Sequence, residues 1–234
     1  MARARGFSAI VAVGAVVLAG CGSGPDADGP PSSAAASSGA GAPASARQLA
    51  LTAAELPPGM SMADFAMDDA VVRAVLDPLT GQRPTGTTYS PSACAPVSMF
   101  GGVEQPAPSL AGVAAGEGGG RSAFTEAVVA RRPDIAAVAA YFQRCRIVVQ
   151  NDGGTPLTTT YAIRDGERGR ADQLLVVEET PDDPNSKQRA LVAYARVGEH
   201  AVWVRLRAFQ GEPVDRTQFD RLVAAAVDKV ARSA

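Results

Sequence analysis

Alternating apolar and polar positions predict four strands in the C-terminal half of the chain. They cover Leu157 to Arg164, Gln173 to Glu179, Arg189 to Val197 and Ala201 to Phe209. The connections between them are short, and Val197-Gly198-Glu199-His200 has the composition of a tight hairpin turn. Such spacing favours antiparallel pairing, because parallel neighbours need long crossover connections. An earlier strand is predicted over Ser122 to Ala130.

Apolar positions at helical spacing predict two longer helices. The first begins after Pro133-Asp134, and its apolar face is Ile135, Val138, Ala139, Phe142 and Cys145. The second follows Pro213, begins near Asp215, and buries Phe219, Leu222, Val223, Ala226 and Val230. One strand, one helix, a run of strands and a final helix indicate an α+β fold. We expect an antiparallel sheet with helices packed on one face, which makes the other face the surface of interest.

The segment before residue 122 has weaker patterns. Thr52 and Glu55 have capping-box spacing, which predicts a short helical turn. A strand is predicted over Met60 to Met67, and residues 68–90 show helical spacing followed by turns. A short helix is predicted over Pro91 to Phe100, and a Gly-rich loop over Gly101 to Gly120. The loop contains Gly116-Glu117-Gly118-Gly119-Gly120, which lacks the Gly-Lys-Ser/Thr ending of a phosphate-binding loop.

The N-terminus has the pattern of an export signal. Arg3 and Arg5 precede an apolar core of thirteen residues, Phe7 to Ala19. A membrane-spanning helix needs about 20 such residues, so the core is too short to span. Leu18-Ala19-Gly20-Cys21 resembles the lipobox of bacterial lipoproteins, which implies that Cys21 is acylated and becomes the first residue after cleavage. The alternative is an ordinary secretory signal followed by a chance cysteine.

Residues 22–46 contain only Gly, Ser, Ala, Pro and Asp. A segment of this composition has no large apolar side chain to bury, so we expect a disordered tether. The sequence thus predicts a signal peptide over 1–20, a lipidated cysteine and tether over 21–46, and one domain over 47–234. No later stretch is long and apolar enough to span a bilayer, so we expect a lipid-anchored protein on the extracytoplasmic face of the cell membrane.

The net charge and the single histidine exclude some classes of binding partner and of active site. Removal of residues 1–20 leaves 20 Lys and Arg against 24 Asp and Glu, a formal charge of −4 without a basic cluster, so we expect no nucleic-acid partner. His200 is the only histidine, which excludes sites that need two imidazoles. A Ser-His-Asp arrangement would depend on His200 in a predicted turn, where a solvated histidine is the alternative. We therefore expect no enzyme, metal or cofactor.

Cys94 and Cys145 remain once Cys21 carries lipid. In an exported protein they predict one disulfide, which closes a loop of 51 residues. The alternative is a pair of unlinked buried thiols. A thiol-redox function is disfavoured because the chain has no Cys-x-x-Cys motif.

The last predicted strand carries the candidate binding residues. Alternation places Val202, Val204, Leu206 and Ala208 on its core face, and Trp203, Arg205, Arg207 and Phe209 on the other. An aromatic ring beside two guanidinium groups suits an anionic or glycan-like ligand. The alternative is that these side chains only cover an open sheet face, with the charges in water. The binding hypothesis requires that helices leave this face uncovered.

The order of features resembles exported actinobacterial lipoproteins. These features are the lipobox, the tether, the opening Leu51-Thr52-Ala53-Ala54-Glu55-Leu56-Pro57-Pro58-Gly59, the two cysteines in helices, the strands and the final helix. The domain is similar to the extracellular sensor domain of mycobacterial kinases of the PknH type. That resemblance implies a noncatalytic, ligand-binding or sensor-like domain with a cleft. The alternatives are a lipid-carrying lipoprotein with an apolar cavity and an envelope hydrolase that depends on His200.

Overall fold

The structure is a computed structural model, and it describes residues 46–58, 60–64, 85–99, 110–117, 122–182 and 188–233, together with Leu79, Gly81 and Arg83. All of these lie in the second of two units of the chain, Gly41–Ala234. The predicted signal peptide, the lipidation site Cys21, the tether up to residue 45 and the helical pattern near residues 68–76 lie outside the described residues.

A nine-stranded antiparallel sheet forms the centre of the domain, in the order β1-β3-β4-β9-β8-β7-β6-β5-β2. Its strands are β1 Met60–Asp64, β2 Thr88–Ser90, β3 Leu110–Glu117, β4 Ser122–Val129, β5 Ile147–Asn151, β6 Leu157–Arg164, β7 Gln173–Asp182, β8 Arg189–Val197 and β9 His200–Ala208. Consecutive strands β5 to β9 pair as hairpins, and β9 then pairs with β4. The short strands β1 and β2 occupy the two edges, so little unpaired backbone is exposed there.

Three α-helices accompany the sheet in the described residues: α1 Ala46–Leu49, α2 Ile135–Arg144 and α3 Arg216–Ser233. The Asp134 carboxylate accepts a hydrogen bond of 2.9 Å from Ala137 N–H at the start of α2, and Asp215 accepts one of 2.9 Å from Gln218 N–H at the start of α3. These caps satisfy amides that have no partner within the helix. Short 3₁₀ turns cover Ala53–Glu55 and Ser92–Cys94.

The helices pack on both faces of the sheet. Helices α1 and α3 cover one face, where Phe219 and Leu222 contact the side of the sheet that carries Val204. Helix α2 covers the other face, where Phe142 packs into the cluster that contains Trp203. The antiparallel α+β class is therefore confirmed, and the prediction of helices on one face is wrong. Strand β8 shows the reason, because it is apolar at successive positions, as strands buried on both faces are.

Three strands were not predicted from the sequence. Strand β3 lies in the segment expected to be a Gly-rich loop, β2 lies among expected turns, and β5 follows α2 directly. Leu110–Glu117 consists largely of Ala and Gly, and Val113 is its one β-branched residue, so it has few of the residues typical of strands. Pairing with β1 on one side and β4 on the other holds this segment extended. The helix expected over Pro91 to Phe100 is only the 3₁₀ turn at Ser92–Cys94.

A buried carboxyl group fixes the first described residues to the sheet. The Glu126 side chain is 0% exposed in the core, and its Oε2 accepts a hydrogen bond of 2.8 Å from Leu51 N–H. Its Oε1 has no partner among the described residues. Burial raises the pKa of Glu126 to about 7, although the Leu51 N–H and the Lys229 charge lower it. Lys229 itself binds Glu55 at 2.7 Å, so the same region joins α3 to the N-terminal segment.

The raised pKa of Glu126 predicts a stability that falls between about pH 4.5 and pH 7. In this interval the unfolded chain ionises the carboxyl while the folded chain holds its proton. The loss is on the order of 3 kcal/mol, and it is complete above the folded pKa. We expect Glu126→Gln to flatten this part of the profile, measured by urea unfolding at several pH values. Glu199→Gln, at an exposed carboxylate, serves as control, and a wild-type slope in Glu126→Gln would contradict the assignment.

Candidate functional site

A cavity of about 180 Å³ lies on the face of the sheet that α2 covers. Its roof is formed by residues 92–99 and Leu79, called the roof segment here, of which Leu79, Pro96 and Met99 line the cavity. One wall is Tyr141 and Phe142 of α2. The floor is formed by sheet side chains, namely Tyr161, Glu179, Tyr194, Trp203, Arg205 and Arg207.

The roof segment is attached to α2 by two links. Cys94 and Cys145 form the predicted disulfide, and the Tyr141 hydroxyl donates a buried hydrogen bond of 2.9 Å to the Cys94 carbonyl. Leu79 joins the roof segment because its carbonyl accepts a hydrogen bond of 2.7 Å from Met99 N–H. Nearby Gly81 has φ +80°, and a Cβ there would lie 2.7 Å from the Ser98 nitrogen. Glycine is required at this close approach.

Strand register brings the charged floor residues together. Glu179 lies opposite Ala190, and Ala190 lies opposite Arg207, so the three form one row across β7, β8 and β9. The small side chain of Ala190 leaves space between the two charges. Arg205 reaches over β8 and donates through Nη2 to Glu179 Oε2 at 2.6 Å, with both side chains largely buried. Glu179 is thus already paired with one of the two arginines.

Arg207 is the unpaired cation of the floor. It is half-buried and forms no hydrogen bond or ion pair in the described part of the chain. Burial and the neighbouring Arg205 charge lower the pKa of Arg207 to about 10, while Glu179 acts in the opposite direction. The group therefore stays charged at neutral pH. With Arg205 and Glu179 balancing each other, the cavity carries one net positive charge.

Aromatic rings supply the apolar part of the lining. The Phe142 ring lies 5.2 Å from Tyr141, 5.2 Å from Tyr161 and 5.6 Å from Tyr194, measured between ring centroids. Burial raises the pKa of Tyr161 and of Tyr194, and the Glu179 charge raises both further, so both phenols are neutral. Trp203 is 3% exposed. Its Nε1–H interacts weakly with the Tyr194 hydroxyl and forms no hydrogen bond of good geometry.

The structure brings together the three candidate ligand-binding residues, Trp203, Arg205 and Arg207, in the cavity floor. Phe209 follows β9 and is not among the lining residues. This face of the sheet is not open, because α2 and the roof segment cover it. The binding hypothesis fails in its original form, because it required an uncovered face. Ligand binding by the same three residues stays a prediction for the partly open cavity beneath the roof segment.

The sequence patterns did not predict most of the other residues that line the cavity. Adjacent residues of a strand point to opposite faces, and Glu178 accordingly binds Arg164 at 2.6 Å while Glu179 binds Arg205 on the other face. Which partner each would meet depends on the register of β6, β7 and β9, which no local pattern encodes. Tyr161 and Tyr194 look like ordinary strand aromatics in the sequence and become lining residues through the same register.

His200 begins β9 beside the hairpin turn, and its Nδ1 is buried without a hydrogen-bond partner among the described residues. No carboxylate there orients the imidazole as a catalytic triad requires.

The described residues also contain no group of three or more His, Cys, Asp or Glu side chains placed to hold a metal ion. Within the same residues, none of the helices combines the length and apolar character needed to cross a membrane.

Comparison with known proteins identifies the fold. No family model matches the chain, and no curated protein does. The crystal structure of the extracellular domain of PknH from Mycobacterium tuberculosis matches with a TM-score of 0.53 and 16% identity, over 79% of this chain and 93% of that one. The chain has a fold similar to the PknH extracellular domain. A putative uncharacterized protein from Mycobacterium smegmatis, an Rv0999 ortholog, matches with a TM-score of 0.46 and 17% identity, over 76% of this chain and 92% of that one.

The similarity to the PknH extracellular domain confirms the expected resemblance at the level of the fold. At 16% identity the two chains have few side chains in common, so the similarity concerns the fold alone.

The disulfide between Cys94 and Cys145 closes a loop of 51 residues. Such a loop predicts a stabilisation of about 4 kcal/mol through the unfolded chain. We expect the double variant Cys94→Ala, Cys145→Ala to lose free energy of unfolding of that order, measured by guanidinium unfolding. Reduced wild type should match the double variant, and Tyr141→Phe, which removes only the hydrogen bond, should lose about 1 kcal/mol. Equal stability of oxidised wild type and the double variant would contradict this role.

Proposed function

We propose that the chain is a noncatalytic ligand-binding, sensor-like module of the cell envelope, anchored to the extracytoplasmic face of the membrane through acyl chains on Cys21. The observation that carries the binding part is the cavity of about 180 Å³ lined by Trp203, Arg205 and Arg207. A concave space lined by aromatic rings with a few polar groups has the composition of a ligand site, although this one is smaller than most such sites. The fold shared with an extracellular domain supports the sensor-like part.

The chemistry of the lining favours binding over catalysis. Its polar groups are tyrosines with raised pKa values, two arginines and Glu179, which Arg205 already binds. A nucleophile needs an adjacent base that takes its proton. The described lining residues include no serine, cysteine, lysine or histidine that could fill either role. The hydrolase alternative therefore has no support from the lining or from His200.

The lipid-carrying alternative has little support as well. Two cavities lined by described residues measure about 180 and 250 Å³. The larger ligand sites of proteins run to several hundred Å³ or more. The floor also carries charged groups beneath its aromatic wall, which an acyl chain would leave unsolvated. A compact organic molecule fits this space better than a lipid.

Native mass spectrometry of the exported full chain tests the binding function. We expect a small non-lipid adduct that is lost on denaturing extraction. Ala190→Leu should remove the adduct, because a larger side chain at this buried position would push the neighbouring Glu179 and Arg207 side chains into the cavity. The matched control Ala136→Leu adds the same atoms on an exposed side of α2 and should keep the adduct. A phospholipid mass would favour the lipid-carrying alternative, and a bare chain in every preparation would contradict ligand binding.

Replacement of Cys21 tests the anchor. We expect wild type in the membrane fraction, with a diacylglyceryl mass on the peptide that begins at Cys21, because two or more acyl chains give stable attachment. Cys21→Ala should lose both the mass and the membrane fraction, as followed by fractionation and peptide mass spectrometry. Ser23→Ala, two residues further on, is the matched control. Membrane retention of Cys21→Ala without acylation would contradict lipid anchoring.

A further inference from the structure

We propose that the cavity binds a compact anion with a flat apolar body, of the class of small aromatic carboxylates. The inference rests on the proposed ligand-binding function and adds the chemical class of the ligand. It is carried by the way in which charge, unpaired donors and aromatic rings are arranged along the cavity floor.

The charge of the floor favours one negative group. Arg205 and Glu179 neutralise each other at 2.6 Å, which leaves the half-buried Arg207 without a counter-ion in the described part of the chain. Burying a cation beside a second arginine is unfavourable, and an anion at Arg207 would relieve that cost. A planar guanidinium binds a carboxylate through two parallel hydrogen bonds. A ligand with a single carboxylate therefore completes the charge balance.

The hydrogen-bonding groups of the floor point to the same class. Arg205 Nε–H is buried and has no partner in the described chain, and Trp203 Nε1–H lacks a hydrogen bond of good geometry. The floor thus has more donors than acceptors. In a site of low dielectric these N–H dipoles raise the positive potential that a bound anion experiences, even without direct contact. A sugar could accept from these donors, but it carries no charge to balance Arg207.

The order of side chains along β9 indicates where the polar and the apolar part of a ligand would lie. Arg207, Arg205 and Trp203 alternate along one face of the strand, so successive side chains stand about 7 Å apart. Trp203 is buried in the same cluster as Phe142 and Tyr194, whose rings lie 5.6 Å apart. The negative group of a ligand would meet Arg207, and its flat body would extend toward these rings.

The cavity volume limits the size of the flat apolar part of the ligand. An apolar cavity of about 150 Å³ accommodates benzene. The present cavity of about 180 Å³ therefore has room for one aromatic ring with one small substituent. Benzoate has this form, while benzamide has the same shape without charge and acetate has the same charge without the ring.

These three probes test the ligand class on the full chain in lipid nanodiscs, with empty nanodiscs subtracted. Trp203 is the only tryptophan of the chain, so its fluorescence reports binding at the cavity, and calorimetry gives the dissociation constant. We expect benzoate to bind on the order of tenfold more tightly than benzamide or acetate. Arg207→Gln should weaken benzoate by a similar factor and leave benzamide unchanged. Arg189→Gln, one row away and on the opposite face of the sheet, is the matched control and should change neither.

Two results would overturn the inference. Equal binding of benzoate and benzamide, with no effect of Arg207→Gln, would remove the anionic class and leave the ligand-binding function in place. Binding of none of the probes would also remove it, and the native adduct of wild type would then decide separately whether the cavity binds any molecule. Circular dichroism of each variant excludes unfolding as the cause of lost binding.

Discussion

Strand β9 is covered on both faces, and this constraint determines the environment of every polar side chain on it. Val202, Val204 and Leu206 pack under α3 on one face. On the other face Trp203 is covered by α2, and the next two alternating positions are arginines. A charge on a covered strand loses part of its hydration, so a partner or a polar space stabilises it. Arg205 has Glu179, and Arg207 faces the cavity.

The cavity lies between the roof segment, which is attached to α2, and floor side chains of unequal size. The disulfide and the Tyr141 hydroxyl attach the roof to α2. Ala190 is small where its neighbours across the sheet, Glu179 and Arg207, are large. Dense packing would normally close such a gap. The roof segment is attached to α2 and Ala190 is small, so a cavity remains. The Arg207 charge lies at one end of this cavity and the aromatic rings at the other.

Much of the fold follows from the sequence, since Leu157–Arg164 and Arg189–Val197 are strands with the predicted bounds and both long helices begin at the predicted caps. The covered face could not be predicted, because the apolar residues of α2 do not reveal on which side of the sheet the helix packs. Of the binding site, alternation along β9 gave Trp203, Arg205 and Arg207 a common face. Glu179 and Tyr161 join them only through pairing across three strands, which depends on long-range register.

The Glu126 side chain and the cavity lie on opposite faces of the same sheet. Leu51 N–H binds Glu126 on the α3 side, so the segment that joins the N-terminal part of the chain to the domain docks there. A molecule under the roof is separated from that segment by one layer of paired backbone. Strands β8 and β9 are therefore shared by both sides, since one face of each packs toward the cavity and the other toward the side on which the N-terminal segment docks.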